Sequence, residues 1–294
     1  MMKIIDSHHH IWRRTDLPWL LGPTQPRIFG PYDSMKRDYS IAEFLNDVAS
    51  TGVEKSVYVQ ANWAPNWFED EVAWVQKTAD QTGWPHAIVG YCDMLQEDAR
   101  RDLDQLKKYP LMRGIRQQLH WHENPLYRFA ASPDLARIKN LQRNVAHLAD
   151  YGWSFDLQVF TEQMDGAGEL VDACPEVTFV LQHAGMLEDT SDEGRANWRS
   201  AMKALAKRQN VTTKLSAFGT FIHRNDESHI SWMMKQTLAL FGARRCMFGS
   251  NFPIEKLWTT YEALVNAFLS AAQDLSVAKQ KLIFHDTAKR VYRL

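Results

Sequence analysis

The chain of 294 residues has few cysteines, almost no net charge and no long apolar run, and each shortage removes a class of protein. Its three cysteines, Cys92, Cys174 and Cys246, lie far apart and form no CxxC pair. A disulfide scaffold or a cysteine-built metal site therefore has no support, and the thiols read as free and buried in a reducing compartment. Lys and Arg number 34 against 35 Asp and Glu, a net charge of −1, with no basic tract. Nucleic acid is disfavoured as a partner, because phosphate binding needs a concentrated positive surface. No apolar run approaches the ~20 residues of a bilayer-crossing helix. The opening stretch Met1 to Asp6 also lacks the apolar core of a secretion signal. The expectation is a cytoplasmic protein with no membrane partner. No linker, low-complexity tract or break in composition divides the chain, so one domain over 1–294 suffices.

What is present is a rhythm. Short β-rich apolar runs occur at Lys3–His10, Lys55–Asn62, Ala87–Asp93, Met112–Leu119, Ser154–Phe160, Thr178–Ala184, Val211–Ala217 and Cys246–Asn251, with helical patterns between them. Ser40 and Glu43 have the spacing of a capping box, and Gly52 can end that helix. Asn66 to Glu69 reads as the next helix start, ended by Gly83. Ser132 and Pro133 suit a cap with proline in the first turn, closed by Gly152. Asp226 can cap Glu227–Phe241 ahead of Gly242, and the tail from Thr259 holds one long helix and a short one ending near Tyr292. Eight strand–helix repeats predict an α/β fold, a (β/α)8 TIM barrel. A doubly wound sheet is the alternative, but its glycine-rich phosphate turn is missing after the first strand. The first connection, Ile11 to Tyr39, is long and rich in Pro and Trp; in a barrel it would cover the C-terminal face, where active sites lie.

Residues able to do chemistry fall at the strand ends. In Asp6-Ser7-His8-His9-His10 a period of two sends His8 and His10 to one face and His9 to the other. Two imidazoles side by side suit a shared metal or a shared substrate oxygen, and the plainer reading is hydrogen-bonded or solvent-facing histidines. His183 ends the sixth run before a small-residue turn. Asn251, between Gly249 and Pro253, can hold a water or a substrate oxygen but cannot serve as a base; otherwise it only shapes a turn. On the fourth run Arg116, Gln118 and His120 share a face. A guanidinium aimed into a barrel mouth calls for an anion, either a substrate carboxylate or an internal acid such as Asp156. Asp156, Gln158, Lys214 and Ser216 add polar side chains at alternating positions. The chain carries 11 Trp; Trp12, Trp63, Trp67 and Trp121 follow strands and could wall a ring-shaped ligand, though each singly reads as packing.

The stretches Ile5 to Trp12, Arg113 to Leu119, Gln182 to Gly185, Thr213 to Ser216 and Met247 to Pro253, in this order, resemble the amidohydrolase-related family. The likeness is greatest to the branch of sugar-acid and dicarboxylate lactonases that includes fuconolactonase, 2-pyrone-4,6-dicarboxylate lactonase and sulfomuconolactone hydrolase. The resemblance implies a (β/α)8 barrel that hydrolyses a lactone at the strand ends. His8, His10 and His183 match histidines that in the wider superfamily bind one or two divalent metals. Several lactonases of this branch use them without metal to polarise the carbonyl. Arg116 matches an arginine suited to anchoring a carboxylate. Two departures stand out: Asn251 occupies the place of a water-activating aspartate, and the fifth strand offers Leu157 and Gln158 instead of a histidine, which argues against a binuclear centre.

The expected function is water attack on the carbonyl of a small anionic lactone. His183, His8, His10 and Asn251 would be the catalytic residues, and Arg116, Gln118, Gln158, Trp12 and Trp63 the substrate-binding ones. The cofactor is none, or a single zinc on His8, His10 and His183. The partner is a small-molecule anion, with a homo-oligomer left open. A lactone isomerase, a metal-dependent non-oxidative decarboxylase and a non-catalytic ligand-binding barrel are the rival readings.

Overall fold

The computed structural model describes residues 2–294. All eight runs form strands: β1 (Ile4–His9), β2 (Val53–Val59), β3 (Ala87–Gly90), β4 (Met112–Gln118), β5 (Ser154–Gln158), β6 (Phe179–Leu181), β7 (Val211–Leu215) and β8 (Cys246–Phe248). They pair in chain order, each parallel to the next. Parallel neighbours need a crossover, and the helical segments between strands supply it. The sheet returns on itself where the His10 amide donates to the Phe252 carbonyl at 2.7 Å and the Asn251 amide to the His8 carbonyl at 2.7 Å. The result is the expected (β/α)8 barrel.

Alternation along the strands sorts the barrel interior into layers. Its lower part is apolar: Ile5, Val57, Val59, Ala87, Val89, Val180 and Met247 pack together, with Ala288, Val291 and Tyr292 of the tail against them. Above them the interior turns polar, and at the strand ends it opens.

Several local signals act as expected. The Ser40 hydroxyl accepts from the Glu43 amide at 3.2 Å and Asp226 from the His229 amide at 2.9 Å. Gly83 and Gly152 end their helices in the left-handed conformation, with φ of 80° and 63°. Others differ. The Glu43 carboxylate binds Arg37 and Lys256 rather than closing a box on Ser40, because two cations outbid one amide. The helix expected from Asn66 begins at Phe68 without a side-chain cap. Ser132 and Pro133 precede a 3-10 turn, and their helix starts only at Lys139. The second tail helix contains a π turn over Leu282–Asp286.

The long connection after β1 folds over the strand ends. Trp12 and Tyr39 exchange backbone hydrogen bonds of 2.9 and 3.0 Å at its base. Farther out, Trp19 Nε1 donates to the Ala61 carbonyl at 3.1 Å and His223 Nε2 to the Ile28 carbonyl at 3.0 Å.

Candidate active site

Backbone strain marks one end of the barrel. Asn62, His183, Ala184, Met186, Ala217, His223 and Asn251 have positive φ, and all follow the C-terminal ends of strands. Non-glycine residues adopt this conformation at a cost, and such residues cluster where a site must be shaped. Five of the seven line a cavity of about 590 Å³ at the same end, within the size range of small-molecule sites.

β1 divides its histidines as its period demands. His9 turns outward and its ring stacks on Phe44 at 3.9 Å. His8 and His10 turn inward with ring centroids 5.0 Å apart, and His183 lies 4.8 Å from His8. His10 and His183 line the cavity, whereas His8 lies fully buried beneath it. Burial, aided by the nearby cations Arg116 and Lys214, holds all three imidazoles well below the usual histidine range, so they are neutral near pH 7. Their neighbours assign protons. His10 Nδ1 lies 2.7 Å from the Val59 carbonyl, which can only accept, so the proton is on Nδ1 and Nε2 is a free acceptor. The Lys214 ammonium can only donate to His8 Nδ1 at 3.4 Å, which leaves the His8 proton on Nε2. His183 Nδ1 pairs with the Ser216 hydroxyl at 2.8 Å.

Arg116 projects from β4 and is 4% exposed. Its guanidinium donates to the Gln60 carbonyl at 2.5 Å and to Gln158 Oε1 at 3.5 Å. Burial pulls its pKa down to about 10. The acid weighed as its partner, Asp156, is taken by Lys214 at 2.8 Å instead, with both side chains fully buried. Asp156 also accepts from Gln182 Nε2 at 2.9 Å. This buried couple lies below the histidines and fixes His8 through Lys214. Arg116 is thereby left facing the cavity with no carboxylate of its own among the described residues.

Gln118 and Gln158 line the cavity, and Gln118 Oε1 is buried without a partner. His120 does not join them. β4 ends at Gln118, the alternation stops, and His120 packs between Phe129 and Phe160. Of the tryptophans, Trp12 and Trp63 line the cavity and Trp67 and Trp121 do not; Trp19 of the covering loop does.

Asn251 lines the cavity with φ 57°. Behind it is a residue that sequence reasoning missed, Glu255, fully buried, accepting from Trp258 Nε1 at 2.9 Å and from the Thr220 hydroxyl at 3.3 Å, with its own amide donating to the Asn251 carbonyl at 3.3 Å. Burial raises its pKa to about 7. It sits on a 3-10 turn after Pro253, where no periodicity marks which side faces in. Arg27 was missed for the same reason, and Gln60 because it serves through its backbone carbonyl, which no side-chain pattern reports.

The sequence leaves open whether His8, His10 and His183 hold a single zinc or work without one. The three are neighbours, but among the described residues no three His, Cys, Asp or Glu side chains gather to hold a metal. The donor chemistry agrees. His8 carries its proton on Nε2, where a metal needs a lone pair; Asn251 supplies no anion; and Arg116 and Lys214 add positive charge. These residues do not fit the group.

Comparison with known proteins adds the family. The amidohydrolase family profile matches residues 5–294. A protein of Sinorhizobium fredii, the uncharacterized y4mH, is 35% identical, with 100% of this chain and 99% of that one covered. An L-fucono-1,5-lactonase of Burkholderia multivorans is 28% identical over 99% of this chain and 96% of its own. A crystal structure of an amidohydrolase from Burkholderia multivorans with bound zinc superposes over the whole of both chains with a TM-score of 0.83 at 26% identity. The chain belongs to the amidohydrolase family and is a hydrolase, with lactonases among its relatives.

Proposed function

We propose that this protein opens a small anionic lactone by water attack on the ester carbonyl. One observation carries the reading: a buried Arg116 without a carboxylate partner faces the same chamber as two neutral histidines, His10 and His183. Arg116 grips the substrate carboxylate, and Gln158, already on the guanidinium, fixes its plane. His10, with its Nδ1 proton spent on Val59, offers a bare Nε2 that takes a proton from the attacking water. His183 acts in the tautomer in which the Ser216 hydroxyl, 2.8 Å away, donates to Nδ1, so that its Nε2–H meets the carbonyl oxygen and stabilises the tetrahedral oxyanion. Asn251, its carbonyl held by the Glu255 amide, orients the water and takes no proton. His8 acts from below, as a positioning residue in contact with both rings. The proton then passes from His10 to the departing alkoxide, which leaves a hydroxy acid.

Zinc in the Burkholderia structure makes a metal-assisted form of the same reaction the alternative. The protonated His8 Nε2 and the two nearby cations favour the metal-free route. A lactone panel followed with a pH indicator, with and without chelator, tests this. Acid release that survives chelation is expected. Activity lost to chelator and restored by zinc would reverse the preference, and ring migration without acid release would make the protein an isomerase.

A further inference from the structure

Arg116 is held by a peptide group, and that peptide is gripped from the far side of the barrel wall. The guanidinium donates to the Gln60 carbonyl at 2.5 Å. The same peptide unit presents its N–H, that of Ala61, to Glu71 Oε1 at 2.6 Å. The carbonyl and N–H of one planar trans peptide point in opposite directions, so Arg116 and Glu71 hold the two ends of a single dipole. Glu71 belongs to the helix Phe68–Thr82 outside the barrel and is 1% exposed. The Tyr58 hydroxyl donates to the same oxygen at 2.7 Å, from the outer face of β2, whose Val57 and Val59 point inward.

The backbone around this peptide is strained and tied on every side. Asn62 has φ 62°, a conformation kept only where the surroundings enforce it. Its amide donates to Gln60 Oε1 at 2.7 Å, and the Gln60 amide donates to the Val89 carbonyl at 2.8 Å. The Ala61 carbonyl accepts from Trp19 Nε1 at 3.1 Å. A plainer role for Glu71 is that of a favourable acid in the first turn of its helix. Glu69 and Asp70 already supply that from less buried positions in the same turn, and the helix dipole does not require burial. A buried carboxyl is costly unless it is bound, and what binds this one is the peptide that carries Arg116.

We propose that Glu71 is a positioning residue for Arg116: it fixes the tilt of the Gln60–Ala61 peptide, and through that peptide the direction in which the guanidinium meets an anionic group in the chamber. This rests on the reading of Arg116 as the anion anchor. Burial raises the Glu71 pKa to about 7, and with or without its proton Oε1 accepts both bonds. Glutamine is therefore the conservative replacement and methionine the disruptive one.

The test is binding, which needs no turnover. Benzoate and its uncharged isostere benzamide suit the aromatic walls Trp19, Phe29 and Phe129. Both are titrated calorimetrically against the full-length wild type, Glu71→Met, Glu71→Gln and Arg116→Met, with thermal unfolding to confirm that each variant is folded. The wild type is expected to prefer benzoate about tenfold or more. Glu71→Met should cut that preference to about threefold or less while benzamide stays within about twofold, and Glu71→Gln should keep it. If the methionine variant does not fold, Glu71→Asp, which withdraws the carboxyl by one methylene, should weaken the preference in its place. A preference that survives Glu71→Met, an equal loss for both ligands, or a glutamine variant as damaged as the methionine one would overturn the proposal. Urea unfolding of Glu71→Met, Arg116→Met and the double variant tests the link without any ligand. The losses should depart from additivity by at least about threefold in the unfolding equilibrium constant, and additive losses would also overturn it. A wild type without a benzoate preference, or an Arg116→Met variant that keeps one, removes Arg116 as the anion anchor and with it the function assigned here to Glu71. Loss of lactone opening alone touches neither result.

Discussion

Lys214→Met is the sharpest perturbation of the site's foundation. The wild-type pair is fully buried, with Nζ 2.8 Å from Asp156 Oδ2, and Lys214 has no exposed surface through which water could replace it. Methionine fills most of the volume but leaves the Asp156 carboxylate with only the Gln182 amide and the Ser154 hydroxyl. Breaking a buried pair by removing one partner costs about 3–5 kcal/mol, a large share of the ~5–15 kcal/mol by which domains are stable. The double variant Lys214→Met with Asp156→Asn removes both charges and keeps an oxygen for Gln182. It should therefore recover to within about 1–2 kcal/mol of the wild type, since a neutral replacement of a buried pair is often nearly cost-free. Urea unfolding followed by fluorescence of the 11 tryptophans measures all four corners of the cycle. Turnover should stay low in the double variant, because His8 Nδ1 has lost its donor in both. The reasoning fails if Lys214→Met costs less than about 1 kcal/mol, or if the double variant loses the sum of the two single losses.

Three further outcomes are expected. His183→Asn should keep the fold, since asparagine tolerates the left-handed backbone found there at φ 55°, and should lower kcat by about 10²–10³-fold in a lactone assay through loss of the oxyanion donor; retained activity would remove His183 from the mechanism. At Gly249 an added Cβ would stand 2.8 Å from His8 Cβ, so Gly249→Ala should cost about 1–3 kcal/mol by thermal or urea unfolding and reduce turnover, and a neutral result would mean that β1 is free to shift. The folded pKa of Glu255, raised to about 7 from an ordinary 4.5, means that its contribution to stability is full below pH 4.5 and is lost as pH rises through 7. Glu255→Gln cannot ionise and should flatten the decline of the urea midpoint between pH 4.5 and 8. Glu71, also raised to about 7, will keep part of that decline, but an unchanged profile would show that Glu255 does not titrate there.

The barrel and the outline of its site were legible because they follow from short-range regularities. A period of two along Asp6 to His10 placed His8 and His10 on one face and His9 on the other, and the rings are so arranged. The same period put Arg116, Gln118 and Gln158 inside. It failed at His120, where the strand had ended and alternation no longer governed the side chain.

What the chain order could not decide is who pairs with whom across the barrel. Asp156 and Lys214 are 58 positions apart and meet because β5 and β7, with only β6 between them, send their side chains into the same interior layer of a closed sheet. That pairing, invisible to any local pattern, leaves Arg116 without a carboxylate partner and puts the His8 proton on Nε2, the atom a metal would need. Arg27 and Glu255 lie in irregular segments, where no periodicity states which way a side chain turns. The sequence by itself determined which strands form and which polar residues point inward, since both depend on neighbours one or two positions away. Only closure of the barrel decided the charges and protons of the site, because they depend on contacts between strands that the chain keeps far apart.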